Sequence, residues 1–151
     1  MNVLVVGGAG YIGSHTVRLL NKAGHNVVVL DNLSTGFKAA VTDNELVVGD
    51  MRDRTLVESV LRDHKIDSVM HFAAFALVGE SVVEPAKYYQ NNVIATLELL
   101  EAMRACDVKR VVFSSTCATY GVPDKTPITE QTQQSPCTLW VYEAGHRTSV
   151  G

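Results

Sequence analysis

Glycines recur through the run Gly7-Gly8-Ala9-Gly10-Tyr11-Ile12-Gly13, directly after the apolar stretch Met1 to Val6. Ser14 to Ala23 then reads as a helix. A strand that enters a glycine-rich turn and leaves it as a helix can hold a dinucleotide pyrophosphate. Gly7 permits the tight turn, Gly10 lets the backbone approach the phosphates, and Gly13 lets the helix sit against the strand. The helix start supplies unpaired N–H groups and a positive dipole end, with Tyr11 and Ile12 in the turn beside it. The next apolar run, Asn26 to Leu30, ends in Asp31, whose carboxylate can accept hydrogen bonds from an adenosine ribose. Negative charge there disfavours a 2′-phosphate, so the pattern points to NAD rather than NADP.

The rest of the chain reads as the frame that positions this turn. Short apolar runs at Glu45 to Gly49, Ile66 to Phe72 and Val108 to Ser114 predict three more strands. Between them, Leu56, Val57, Val60 and Leu61 mark one face of a helix over Arg54 to Asp63, and a long helix is expected from about Pro85 to Cys106. Alternation of this kind predicts an α/β, Rossmann-like, doubly wound parallel sheet of about five strands in the order 3-2-1-4-5. Ligands of such sheets bind outside the carboxyl ends of the strands. The candidates there are Asp31 with the loop Asn32-Leu33-Ser34-Thr35-Gly36, then Asp50-Met51, Phe72-Ala73-Ala74 and Ser114-Ser115-Thr116. Asp50 and Met51 could flank an adenine, and Asp50 could equally cap the following helix. Ala73 and Ala74 are small enough for close backbone approach to a cofactor. His71, inside an apolar strand, reads as a packed core residue, and His15 as structural.

Composition narrows the class. The chain has 151 residues, 46% of them hydrophobic, with a net charge of -3. That suits one globular domain and argues against a nucleic-acid partner. No apolar run approaches the roughly 20 residues needed to span a bilayer. Met1 leads straight into the first strand, so no signal peptide is expected. Cys106, Cys117 and Cys137 are odd in number and lack metal-ligand spacing, which predicts free thiols, no metal and a reducing cytoplasm.

The motifs together carry a family resemblance. G-G-A-G-Y-I-G-S-H from Gly7, D-N-L-S-T-G from Asp31 and H-F-A-A from His71 resemble the extended short-chain dehydrogenase/reductases. Y-Y-Q-N-N-V from Tyr88, and F-S-S-T from Phe113 with a later T-Y-G, resemble the UDP-glucose 4-epimerase branch. The similarity runs over about the first 135 residues. It implies an NAD-bound isomerase of galactose metabolism. A tyrosine takes the sugar 4-hydroxyl proton while hydride moves to NAD, and the 4-keto sugar turns before hydride returns. It implies Thr116 as the hydroxyl at the substrate 4-oxygen, Asn92 at the cofactor, Ser114 near the nicotinamide, a UDP-hexose substrate and a homodimer. Ala76 stands where many members carry lysine. Thr116-Cys117-Ala118 lacks the acidic residue that sister dehydratases place after this motif, while other nucleotide-sugar epimerases stay open.

Beyond Pro136 the resemblance breaks. The family's Tyr-x-x-x-Lys is expected about 25 residues past Thr116, yet Tyr142 is followed four residues later by His146. Residues 1–136 are therefore expected to be a partial NAD-binding domain and 137–151 an out-of-frame tail, with the substrate domain absent. Two outcomes stay open, an epimerase by descent or an NAD-binding fragment without turnover. Read one nucleotide later, suitable codons for Cys137 to Gly151 give A-P-Y-G-S-T-K-L-A-I-E-R-R-L, which restores the motif. Sequencing the coding DNA checks this: the expected result is codons that encode this string, and codons that cannot encode it overturn the frameshift.

Overall fold

Strands that are apolar at nearly every position have no face to show to water, so they settle at the centre of a sheet covered on both sides. The computed structural model describes residues 1–136 and places two such strands, β1 (Asn2–Val6) and β2 (Asn26–Asp31), side by side. With β3 (Glu45–Val48), β4 (Ser68–His71) and β5 (Arg110–Phe113) they make a five-stranded parallel sheet in the order β3-β2-β1-β4-β5. This is the expected Rossmann-like arrangement. In register, Val6 stands opposite Leu30 on one side and His71 on the other. The carboxyl ends of β1, β2 and β4 are thereby level.

Side-chain alternation divides the core in two. Leu4, Val6, Leu30 and Val69 face the helices α2 (Arg54–Asp63) and α5 (Ala95–Ala105), meeting Val57, Leu61, Leu99 and Met103. Val3, Val5, Val27 and Val29 face the opposite way, toward Val17 of helix α1 (Tyr11–Lys22).

Three elements differ from expectation. Helix α1 begins at Tyr11, three residues before Ser14, because Gly10 already serves as its N-cap. The long helix is unbroken along the chain but not uniform in pitch: α4 (Pro85–Tyr88) runs into a π turn at Tyr89–Ile94 before α5. A short helix α3 (Val78–Val83), unmarked by any clear apolar period, precedes α4. Among the described residues no helix is long and apolar enough to cross a membrane. Cys106 and Cys117 are free thiols; Cys137, Tyr142 and His146 lie outside the described residues.

By contacts the chain divides into two units, Met1–Ser114 and Ser115–Gly151. The first holds the sheet. The described part of the second contains a single-turn helix at Cys117–Tyr120 and a turn in which Thr132 N–H donates to Thr129 O (3.0 Å).

His71 is a packed core residue, 2% exposed, with its ring edge-on to Phe113 at a 5.2 Å centroid separation. His15, by contrast, is exposed on α1 and touches the Tyr11 ring. Burial pushes the His71 imidazole down to about 4, since a charged ring would lose its water. The unfolded chain takes up that proton below about pH 6.5 while the folded chain does not. The contribution of His71 to stability is therefore full above pH 6.5 and is lost progressively as pH falls toward 4. Urea unfolding across this range checks it: the loss is expected in the wild type and reduced in His71→Gln.

Candidate functional site

The chain leaves β1 at Gly7 with φ of +79°, a conformation that side chains resist. There is no room for one either, because a Cβ at Gly7 would stand 2.6 Å from the Ala73 nitrogen. The turn closes with Gly7 N–H donating to Leu30 O (2.8 Å) and Gly10 N–H to Gly7 O (3.2 Å). Gly13 completes it, since a Cβ there would meet Gly7 O at 2.2 Å. The helix is thus pressed against the turn. Its start has no side-chain cap and no acidic residue in the first turn. The free amides and the positive dipole end are left for an external anion. Around Gly10 only Gly7 O comes within contact distance of an added Cβ, at 3.3 Å, so its other side is open.

Asp31 joins this turn to the loop after β2. Oδ2 accepts from Ala9 N–H at 2.9 Å, and Oδ1 accepts from Leu33 N–H at 2.8 Å. The side chain is nearly sealed, the residue being 7% exposed. Leu33 takes a left-handed φ of 57°, and Ser34 N–H donates to Asn32 Oδ1 at 3.0 Å. Gly36 packs on Ala9, and Phe37 N–H donates to Ala9 O at 3.0 Å. The loop is therefore fastened at both ends to the glycine turn. Each carboxylate oxygen keeps a second lone pair for a ligand.

Asp50 follows β3. Arg52 grips its carboxylate with two guanidinium hydrogen bonds, of 3.0 and 2.7 Å, and a backbone one of 2.9 Å. Those bonds hold the Asp50 carboxyl down at about 2, against the opposing effect of burial. The helix-cap alternative for Asp50 is excluded by the structure, because Asp53 caps α2 through Leu56 N–H at 3.0 Å. Met51 is largely built into the core, at 5% exposed.

One cleft at the carboxyl edge brings together most of the anticipated residues. Gly7 and Gly10 line it with Asp31, Asn32, Ser34 and Thr35, and so do Asp50 and Met51. Phe72, Ala73 and Ala74 form the wall beyond β4. Outside the lining are Gly13, Leu33 and Gly36, which shape it from behind, and Tyr11 and Ile12, which are exposed on α1. Asn92 does not line it either. Both ends of its amide are bonded to Phe75, Oδ1 accepting from N–H (2.9 Å) and Nδ2 donating to O (3.0 Å). Ser114 lies just past β5, its N–H donating to His71 O at 3.0 Å. Thr116, in the second unit, caps the single-turn helix by accepting from Ala118 N–H at 3.2 Å.

The sequence reading missed Val6, Leu30, Gly49, Phe75 and Asn91 in the lining. Gly49 directly follows β3, and Phe75 lies in the segment just past β4, places at the carboxyl edge that could have flagged them. Asn91 could not be found from an apolar period. No group of three or more His, Cys, Asp or Glu suited to a metal occurs among the described residues.

The comparisons with known proteins agree with this geometry. The NAD dependent epimerase/dehydratase family matches residues 3–149. A UDP-glucose 4-epimerase of Lactobacillus helveticus is 57% identical over 137 residues, covering 90% of this chain and 42% of that protein. The Brucella ovis UDP-glucose 4-epimerase, solved in complex with NAD, superposes with a TM-score of 0.82 at 52% identity, over 89% of this chain and 42% of the other. A UDP-N-acetylglucosamine 4-epimerase from Methanobrevibacter ruminantium M1, in complex with UDP-N-acetylmuramic acid, gives 0.79 at 37% identity, over 94% and 46%. The chain spans about two fifths of the length of the curated relatives it matches. With the glycine turn, the acidic end of β2 and the parallel sheet in place, the chain belongs to the NAD dependent epimerase/dehydratase family.

Proposed function

We propose that this chain provides the NAD-binding portion of an enzyme that inverts carbon 4 of a UDP-hexose, interconverting UDP-glucose and UDP-galactose. The observation that carries this reading is Asp31, whose buried carboxylate spans the glycine turn and the loop beside it while lining the cleft. The residues fit NAD. The uncapped start of α1, with Gly10, Tyr11 and Ile12, would face the pyrophosphate, and Asp31 to Gly36 the adenosine ribose. Asp50 and Met51 would flank the adenine, Phe72 to Ala74 and Asn92 would stand along the cofactor, and Ser114 near the nicotinamide. NAD, when bound, supplies the acceptor and donor of the carbon-4 hydride.

Thr116 holds the 4-oxygen of the sugar in this reading. Its Oγ1 accepts from Ala118, which leaves its own proton to donate. Epimerase relatives support a UDP-sugar substrate, and one was solved with NAD+ and UDP. We further infer a homodimeric, cytoplasmic protein, from the family resemblance and from the free thiols.

Titration of the chain with NAD and NADP tests the cofactor. NAD is expected to bind at least about tenfold tighter, because the two acidic groups of the cleft repel a 2′-phosphate. Asp31→Asn keeps the shape but loses the charge and one of the two backbone bonds. It should weaken NAD by about tenfold and shrink the preference over NADP. Equal binding of the two cofactors by the wild type overturns the role of Asp31.

A second reading is favoured by the tail, where His146 stands at the lysine position of Tyr-x-x-x-Lys. An imidazole cannot supply the persistent charge of that lysine. The chain as it stands is then an NAD-binding protein without turnover. A coupled assay following UDP-galactose to UDP-glucose is expected to show no activity above background; robust turnover overturns this second reading.

A further inference from the structure

A run of hydrogen bonds, starting at Ala73 and ending at Phe75, links the wall of the cleft to the helix behind it. His71 Nδ1 accepts from Ala73 N–H at 3.2 Å, so that nitrogen carries no proton and the neutral ring holds its proton on Nε2. Nε2 faces Thr96 Oγ1 at 2.9 Å and donates to it. Thr96 Oγ1 in turn donates to Asn92 O at 2.8 Å. Asn92 ends on the same stretch of backbone, its side-chain amide bonded to both the N–H and the C=O of Phe75. Asn91 Nδ2 adds a second donor to Asn92 Oδ1 at 3.0 Å, and only one tautomer of His71 satisfies the run.

Both ends of this run lie on Ala73 to Phe75, the stretch that walls the cleft. The backbone there belongs to no helix or strand. Without the run its amides have no regular ladder to hold them. Neither His71 nor Thr96 lines the cleft. The hydrogen-bond and ring partners of His71 are all uncharged: the Ala73 amide, Thr96 and Phe113.

We propose that His71 and Thr96 are positioning residues for the cofactor, fixing the Ala73–Phe75 wall through the Ala73 amide and Asn92 before the ligand arrives. This inference rests on the NAD-binding reading above. The gain is preorganisation, since a wall already ordered loses little freedom on binding.

The test uses the full chain in three variants. Thr96→Val keeps the shape and removes the hydroxyl, Thr96→Ser restores it, and Val69→Ala weakens the core on β4 without touching the run. Amide hydrogen exchange, measured without cofactor, should quicken at Ala73 and Phe75 in Thr96→Val but not in Thr96→Ser. NAD should bind about tenfold more weakly to Thr96→Val, the scale of one lost hydrogen bond. Thr96→Ser should stay within about twofold of wild type. Val69→Ala should lower the Tm at least as much as Thr96→Val yet leave NAD affinity unchanged. Unchanged exchange at Ala73 and Phe75 overturns the proposal, and so does an affinity loss that merely follows Tm across all the variants. If the wild type fails to bind NAD while exchange still responds to Thr96→Val, the run stands and the cofactor reading falls, taking the positioning role with it.

Discussion

The buried carboxylate of Asp31 is the constraint on which the site depends. A charge taken out of water must be met by donors, and here the donors are two backbone amides from different loops. Charge-assisted bonds of this kind contribute about 1.5–3 kcal/mol each. They fix the distance between the glycine turn and the loop after β2, and so the width of the cleft at that end. The carboxylate that would meet the proposed ligand is therefore the one that already orders the loop. A substitution at Asp31 cannot alter that contact and leave the loop order untouched.

The acidic group at the next strand end is held in another way. Asp50 is clasped by Arg52, a partner two residues away and half exposed. Its bonds are local, so they set its charge without tying separate parts of the fold together. The two carboxylates of the cleft thus differ in kind: Asp31 is part of the frame, and Asp50 is a fixed charge placed on it.

Much of this was legible in the sequence because the physics concerned is local. Five apolar runs alternating with helical patterns dictated a parallel sheet, and the glycines at 7, 10 and 13 dictated the turn. What stayed hidden depended on partners far along the chain. The family resemblance alone pointed to Asn92, and nothing nearby in sequence says that its amide closes on Phe75. The cap of α2 is Asp53, whereas the sequence reading had weighed Asp50 for that place. The start of α1 was misplaced because glycines discourage a helix, whereas Gly13 is inside this one for the sake of close packing. Helix α3, only six residues long with an internal glycine, gives no period to detect.

The π turn at Tyr89–Ile94 has a consequence for how this segment tolerates insertions and deletions. A π turn is an α-helix carrying one surplus residue, and it is commonly found near functional sites. Removing that residue would give the backbone a smoother helix. It would also rotate α4 and the residues on it by about 100° relative to α5, since each helical residue turns the chain by that amount. Asn91 at the cleft, Asn92 on Phe75 and Thr96 under His71 could not all keep their places. The irregular pitch works as a phase shift between two stretches of helix. Chain length in this segment is therefore fixed more tightly than residue identity at most of its positions.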